Sequence, residues 1–281
     1  MATSNPILCG SIAARPGRFG VAMHNAAYRA LGLDHVYVAF GTEDTAGAIA
    51  AMRALGLRGL GLTMPHKVRV IDHLDALADD ARAIGAVNTV VNDDGRLTGH
   101  NVDWIGAIRA FAEVGPVSGL RAAVVGAGGG ARAVVFGLIR AGATVTLYAR
   151  SVEQGRALAE HLGAVYAGSV AALAEADAVD LIAHVTPVGL NDASALLVPE
   201  AALRPGRIVF DAVPQPVDTR LLREAAARGC RTIPGVRMQL HQAAAQFELY
   251  TGRSPDLGVM EDALRTAMAA AGTPAATAAS P

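Results

Sequence analysis

Short apolar runs recur along the chain, and Ala- and Leu-rich stretches with helical spacing fall between most of them. The strand-like runs are 6–12, 35–40, 57–63, 88–92, 121–126, 144–149, 180–185 and 207–213. Helical patterns include HNAAYRALG (24–32) and TAGAIAAMRALG (45–56). Such alternation predicts an α/β protein with mostly parallel sheets. NDDG (92–95), lying between two β-like runs, reads as a hairpin turn and gives the first half one antiparallel excursion. WIGAIRAFAEVG (104–115) reads as a helix that ends in the breaker cluster GPVSG (115–119), where a domain change is expected. The last helical patterns, 236–252 and 257–272, have no strand between them and are expected to return to the first domain. The resulting division is an N-terminal α/β substrate domain, 1–104, completed by C-terminal helices within 237–272, and a Rossmann-type parallel-sheet domain, 105–236. The small, Pro-containing segment TPAATAASP (273–281) is expected to be disordered.

Composition narrows the choice of partners. With 281 residues, 52% hydrophobic and 17% charged, the chain can bury a core in one or two domains. A net charge of −1 gives no reason to expect a nucleic-acid or anionic-membrane partner. The start MATSNPILCGS lacks the basic-then-apolar order of a signal peptide, and no apolar run approaches the ~18–20 residues of a membrane helix. Cys9 and Cys230 cannot build a disulfide framework, so both are expected to be reduced and buried in a cytoplasmic protein. The eight histidines show no H-x-x-x-H or Cys-paired spacing, so no metal site is expected.

The most informative stretch is RAAVVGAGGGARAVVFGLIRAG (121–142), a β-branched strand running through glycines into an apolar helix. Gly126, Gly128 and Ala131 give G-x-G-x-x-A in the context a dinucleotide fold requires. Gly126 permits the tight turn, Gly128 lets the backbone approach a pyrophosphate, and Ala131 keeps the helix close to the sheet. Free N–H groups at the helix start hold the anion, with the intervening Gly129 and Gly130 in the same turn. The next strand ends in TLYARS with no acid before Glu153, and Arg150 stands where a ribose-binding carboxylate would be. A guanidinium there suits a 2′-phosphate, which favours NADP; the plainer reading is that Arg150 covers the sheet edge. Ser151 followed by Gln154 reads as a capping box, so Ser151 is a cap, a phosphate donor, or both.

Together with LTMPHK (62–67), GAVNTVV (85–91), HNVD (100–103), GAGGGARA (126–133), TPVG (186–189) and QAAAQFELYTG (242–252), these residues resemble the shikimate dehydrogenase family over about residues 6 to 268. The resemblance implies two α/β domains joined by two helices, an active site in the cleft between them, and NADP-linked interconversion of shikimate and 3-dehydroshikimate or of a related cyclic hydroxy acid. It implies Lys67 and Asp103 as the catalytic pair and Ser11, Thr63, Asn88 and Gln242 as substrate contacts. It places the cofactor on the glycine turn and Arg150, with Thr186 and Gly235 near the nicotinamide end. The partners are then a small cyclic hydroxy-carboxylate and no macromolecule, in a monomer or homodimer.

Several positions depart from that family's pattern. One serine of a substrate-gripping S-x-S pair has only Ser11 as a match, and the loop that follows carries Arg15 and Arg18. Gly61 replaces an asparagine, Trp104 a glycine, and no tyrosine follows FDAV (210–213). These changes point to a divergent shikimate dehydrogenase-like subgroup. They keep open quinate as a substrate and a weakly catalytic NADP-binding sensor. Pro65 is read as stiffening the turn that aims Lys67 into the cleft, where an amine can donate a proton or stabilise an alkoxide; the plainer reading is a solvated lysine at a helix start. His66 is read as orientational or exposed, and His24 and Asn25 as structural residues at a helix start.

Overall fold

The computed structural model describes residues 5–272, so the expected disordered tail at 273–281 lies outside the described residues. Two six-stranded sheets carry the chain. The first is built from β1 (Ile7–Ala13), β2 (His35–Gly41), β3 (Gly59–Leu62), β4 (Ala76–Leu77), β5 (Thr89–Asp93) and β6 (Arg96–His100), in the order β2-β1-β3-β5-β6-β4. β1 runs parallel to β2 and β3, whereas β5 is antiparallel to both β3 and β6. The excursion is set by the expected turn: Asp94 and Gly95 take φ of 51° and 90°, and Asn92 Oδ1 accepts from the Gly95 N–H at 2.7 Å.

The second sheet consists of β7 (Arg121–Val125), β8 (Thr144–Tyr148), β9 (Val165–Gly168), β10 (Leu181–His184), β11 (Ile208–Asp211) and β12 (Arg231–Pro234). All are parallel, in the order β12-β11-β10-β7-β8-β9. This is the doubly wound dinucleotide-binding order, and it reverses direction between β7 and β10. The strands β4, β9 and β12 were not evident from the sequence pattern. Each lies at an edge of its sheet, where few apolar residues suffice.

Around the first sheet lie α1 (Phe19–Ala30), α2 (Thr45–Ala54), the single turn α3 (His66–Arg69) and α4 (Asp79–Ile84). The linking helix α5 (Asp103–Ala112) leads to the second sheet, which carries α6 (Gly129–Arg140), α7 (Val152–Leu162) and α8 (Arg220–Ala227). The chain then returns through α9 (Gly235–Thr251) and α10 (Leu257–Gly272). Met23 and Tyr28 of α1 pack with Leu240 and Phe247 of α9 and Met260 and Leu264 of α10 in one core. The final helices therefore do close on the first sheet. On its other face Ile49 and Met52 pack on Leu60 and Leu62. In the second sheet Phe111 of α5 and Val134 and Leu138 of α6 cover Val124, Leu147 and Phe210.

The two sheets are held together on two sides. α5 and α9 pack so closely that a Cβ on Gly106 would lie 2.6 Å from the Met238 carbonyl oxygen, which only glycine allows. Opposite, Trp104 donates from Nε1 to Asp80 of α4 at 3.0 Å and meets Phe136 of α6 edge-on at 5.6 Å. Here the large side chain that departs from the family pattern couples a helix of each sheet.

α1 starts five residues before His24, so His24 and Asn25 sit inside the helix and not at its start. Asn25 exchanges two hydrogen bonds of 2.9 Å with the backbone of Tyr37, pinning α1 to β2. His24 is fully buried and stacks on Tyr37 at 4.1 Å. Its Nδ1 donates to the Gly20 carbonyl at 2.9 Å, and its Nε2 has no partner. Burial therefore pulls its pKa down from 6.5 to about 4. Below pH ~6.5 the unfolded chain takes up a proton here that the folded chain refuses until pH ~4, so stability falls as the pH drops through this window. The loss attributable to His24 is about 3 kcal/mol. Urea unfolding of wild-type and His24→Phe protein at pH 7 and pH 4.5 is expected to show a flatter pH dependence for the variant; parallel curves would refute the assignment.

Candidate active site

Lys67 is the only lysine among the chain's 24 basic side chains, every other one being arginine. It is the second residue of α3, directly after the loop that leaves β3. The loop is anchored by His66, which is fully buried and not exposed. Its Nε2 lies 3.0 Å from the Thr42 carbonyl, an acceptor only, so this nitrogen carries the proton. Nδ1 then accepts from the Thr45 hydroxyl at 2.7 Å. With its neighbour locked, Lys67 sends its side chain toward the second sheet: its Cδ lies 4.0 Å from where a Cβ on Gly129 would stand.

The amine donates to Asp103 Oδ2 at 2.6 Å. Asp103 opens α5, where a carboxylate is favoured by the helix dipole, and its backbone N–H is capped by Asn101 Oδ1 at 3.1 Å. Its other oxygen accepts from Asn88 Nδ2 at 2.7 Å. Asn88 is held in this orientation because its Oδ1 accepts from the Thr89 hydroxyl and the Val102 N–H, both at 2.8 Å. Thr89 in turn accepts from Gln246 Nε2 at 2.9 Å, which forces its own proton toward Asn88. A directed chain thus runs from Gln246 through Thr89 and Asn88 to the Asp103–Lys67 pair. The side chains of Lys67 and Asp103 remain 20% and 7% exposed, so the amine is the member that faces the cleft.

Gln246 was not singled out in the sequence, although it follows Gln242 by one helical turn. The two glutamines do different things. Gln246 is buried and fills the space beside Gly61, where a Cβ would lie 3.0 Å from its Nε2 and 3.1 Å from the Tyr37 hydroxyl. That close packing explains a glycine at position 61. Gln242 is half-buried, lies over Gly106, and makes no side-chain hydrogen bond to the described residues. Thr63 is exposed and bonds only weakly to the Met64 carbonyl, at 3.4 Å. Ser11 is half-buried, near Tyr37. Asn88 is nearly used up by the protein, with one amide proton left over.

Beside Lys67 a groove of about 580 Å³ runs along the carboxyl ends of β7, β8, β10 and β11. Gly126 adopts φ of 128°, and a Cβ there would meet the Val185 carbonyl at 2.6 Å. Gly128 stands at the start of α6 with open space where a Cβ would be, so a ligand can reach the backbone of Gly128, Gly129 and Gly130. Ala131 is fully buried against the sheet. Arg150 is exposed at the groove's edge and makes no ion pair among the described residues. Ser151 caps α7, its hydroxyl accepting from the Gln154 N–H at 3.3 Å. Thr186 lines the groove. Gly235 does not; it lets α9 start against Ala212 and Val213, with carbonyl oxygens 2.7 Å from a would-be Cβ. Arg15 and Arg18 are exposed. Among the described residues no cluster of His, Cys, Asp and Glu could hold a metal ion, and no helix is long and apolar enough to cross a membrane.

Residues 19–90 match a family model described as the shikimate dehydrogenase substrate binding domain, and 235–265 one described as the shikimate 5'-dehydrogenase C-terminal domain. The shikimate dehydrogenase (NADP(+)) of Moorella thermoacetica is 42% identical over 268 residues, covering 90% of this chain and 91% of that protein. A shikimate dehydrogenase-like protein of Haemophilus influenzae is 38% identical, covering 88% and 92%. The crystal structure of shikimate 5-dehydrogenase from Thermus thermophilus in complex with NADP(H) and shikimate superposes with a TM-score of 0.85 at 37% identity, over 93% of this chain and 99% of that one. With an amine–carboxylate pair set beside a dinucleotide-type groove and this likeness along nearly its whole length, the chain belongs to the shikimate dehydrogenase family.

Proposed function

We propose that this protein is an NADP-dependent oxidoreductase that interconverts the ring alcohol of shikimate and the ketone of 3-dehydroshikimate. The observation that carries the reading is the Lys67–Asp103 pair at 2.6 Å, facing a groove whose far edge is Arg150. The groove suits NADP on its own features. Backbone N–H groups at the start of α6 face open space beyond Gly128, and the end of β8 offers a free guanidinium and no carboxylate. The Thermus relative binds NADP(H) and shikimate, and the Moorella relative is a shikimate dehydrogenase (NADP(+)), which favours shikimate over quinate and over a weakly catalytic sensor.

NADPH, when bound, supplies hydride to the ketone carbon. The protein's part is proton, orientation and field. As the ketone is reduced, charge gathers on oxygen, and Lys67 Nζ is placed to give that oxygen its proton; in the oxidative direction it takes the proton back. Asp103 keeps the amine in position and balances its charge. An arginine could not serve, because a guanidinium does not release a proton in this range. Thr63 and Gln242, with free hydrogen-bonding groups, and Ser11 and the last Asn88 proton are assigned to the substrate's hydroxyl and carboxylate groups. The substrate unit comprises 1–104 with the helices of 237–272, and the NADP unit 105–236. We place the enzyme in the cytoplasm, in keeping with two buried free cysteines, and take it to act as a monomer or homodimer.

Two measurements test the reading. Lys67→Ala is expected to lower kcat for shikimate with NADP by roughly 10²–10⁴-fold while the KM for NADP changes little. Retained turnover would end the proposed mechanism. Arg150→Gln is expected to weaken NADPH by about tenfold or more, from loss of a charge-assisted hydrogen bond, and to leave NADH almost unaffected. Equal losses for both cofactors would show that Arg150 does not read the 2′-phosphate.

A further inference from the structure

A second buried polar chain lies under the groove, on the side away from Arg150. Its members are Asp211 at the end of β11, His184 at the end of β10, and Thr186 two residues further on. His184 and Asp211 are 2% and 1% exposed. Asp211 Oδ1 lies 2.9 Å from His184 Nδ1 and accepts from the Val213 N–H at 3.1 Å; Oδ2 accepts from the Thr219 hydroxyl at 2.6 Å. A carboxylate only accepts, so Nδ1 of His184 must carry the proton. In the neutral ring Nε2 is then an acceptor, and the Thr186 hydroxyl, 2.5 Å away, donates to it. The same hydroxyl oxygen accepts from the Val188 N–H at 3.3 Å. Its proton is committed inward, so what Thr186 can present to the groove is a lone pair.

The sheet order says what that lone pair would meet. A dinucleotide crosses such a sheet at the reversal between β7 and β10, with its pyrophosphate on the glycine turn of β7. Arg150, after β8, marks the adenine side, so Thr186, after β10, stands on the nicotinamide side of the groove that Lys67 also lines. A fixed acceptor there matches an amide N–H of the nicotinamide carboxamide. We propose that His184 is a positioning residue: with Asp211 and Thr219 it fixes the Thr186 hydroxyl as an acceptor that orients the nicotinamide ring toward Lys67. Asp211 contributes twice, because its bonds to Val213 and Thr219 also hold the segment 212–214 that floors the groove.

The inference rests on the NADP reading above, and its test separates the two. His184→Asn, Thr186→Val and the double variant would be titrated by fluorescence with NADPH and, separately, with 2′,5′-ADP, which lacks the nicotinamide. Each single variant is expected to weaken NADPH roughly five- to tenfold, the size of one neutral hydrogen bond, and to leave 2′,5′-ADP unchanged. The double variant should lose no more than Thr186→Val, because His184 acts through Thr186. His184→Gln, whose amide oxygen can replace Nε2 as acceptor, should recover part of the loss. Side-chain ¹⁵N spectra of the histidines should show His184 protonated on Nδ1 and bare on Nε2. Additive losses, equal weakening of both ligands, or the opposite tautomer would each overturn the proposal while leaving the NADP reading standing. Wild-type protein that bound neither ligand would overturn both.

Discussion

The Lys67–Asp103 ion pair sets the terms for the rest of the site. Its partners come from separate elements, α3 after β3 and α5 after β6, and are brought together because those two strands flank β5 in one sheet. A carboxylate 7% exposed would be costly alone. Asp103 is compensated by the amine, by Asn88, and by its place at a helix start. The supporting chain is directional at every step: Gln246 donates to Thr89, Thr89 to Asn88, and Asn88 to Asp103. Such an arrangement leaves the amine little choice of position.

The same logic accounts for the use of one lysine in a chain otherwise built with arginine. Arginine serves where a fixed, permanent charge is wanted, as in the Arg121–Asp180 pair and at the free edge position Arg150. A primary amine, unlike a guanidinium, can give up its charge, which is the property that the role proposed for Lys67 uses. Close packing around the site makes room for this device. Gly61 admits Gln246 and Tyr37, and Gly106 brings α9 against α5, so that Gln246 reaches the first sheet from a helix far along the chain. Trp104 closes the opposite side by joining α4 to α6.

Much of this was legible in the sequence. Apolar alternation gave eight of the strands, NDDG gave the hairpin, and the glycine pattern after β7 gave the turn that Gly126 adopts. Lys67, Asp103 and Asn88 could be named as a set, and they do meet. The misses have physical causes. β4, β9 and β12 are edge strands with little to bury. α1 begins at Phe19 and not at His24 because a glycine- and proline-containing loop precedes it and hides the helical pattern. For His66 the choice between an orientational and an exposed residue stayed open, because a sequence does not show that Thr42 and Thr45 will close over its ring.

By itself, then, the sequence determined the class of fold and the order of most of its elements, since periodicity and turn chemistry are local properties. Tertiary structure alone decided which polar groups pair: Gln246 with Thr89 across 157 positions, and His184 with Asp211 across 27. Those pairings determine which protons are committed and which lone pairs remain for a ligand. They follow from distances of about 3 Å between segments remote in the chain, and no local pattern encodes such distances.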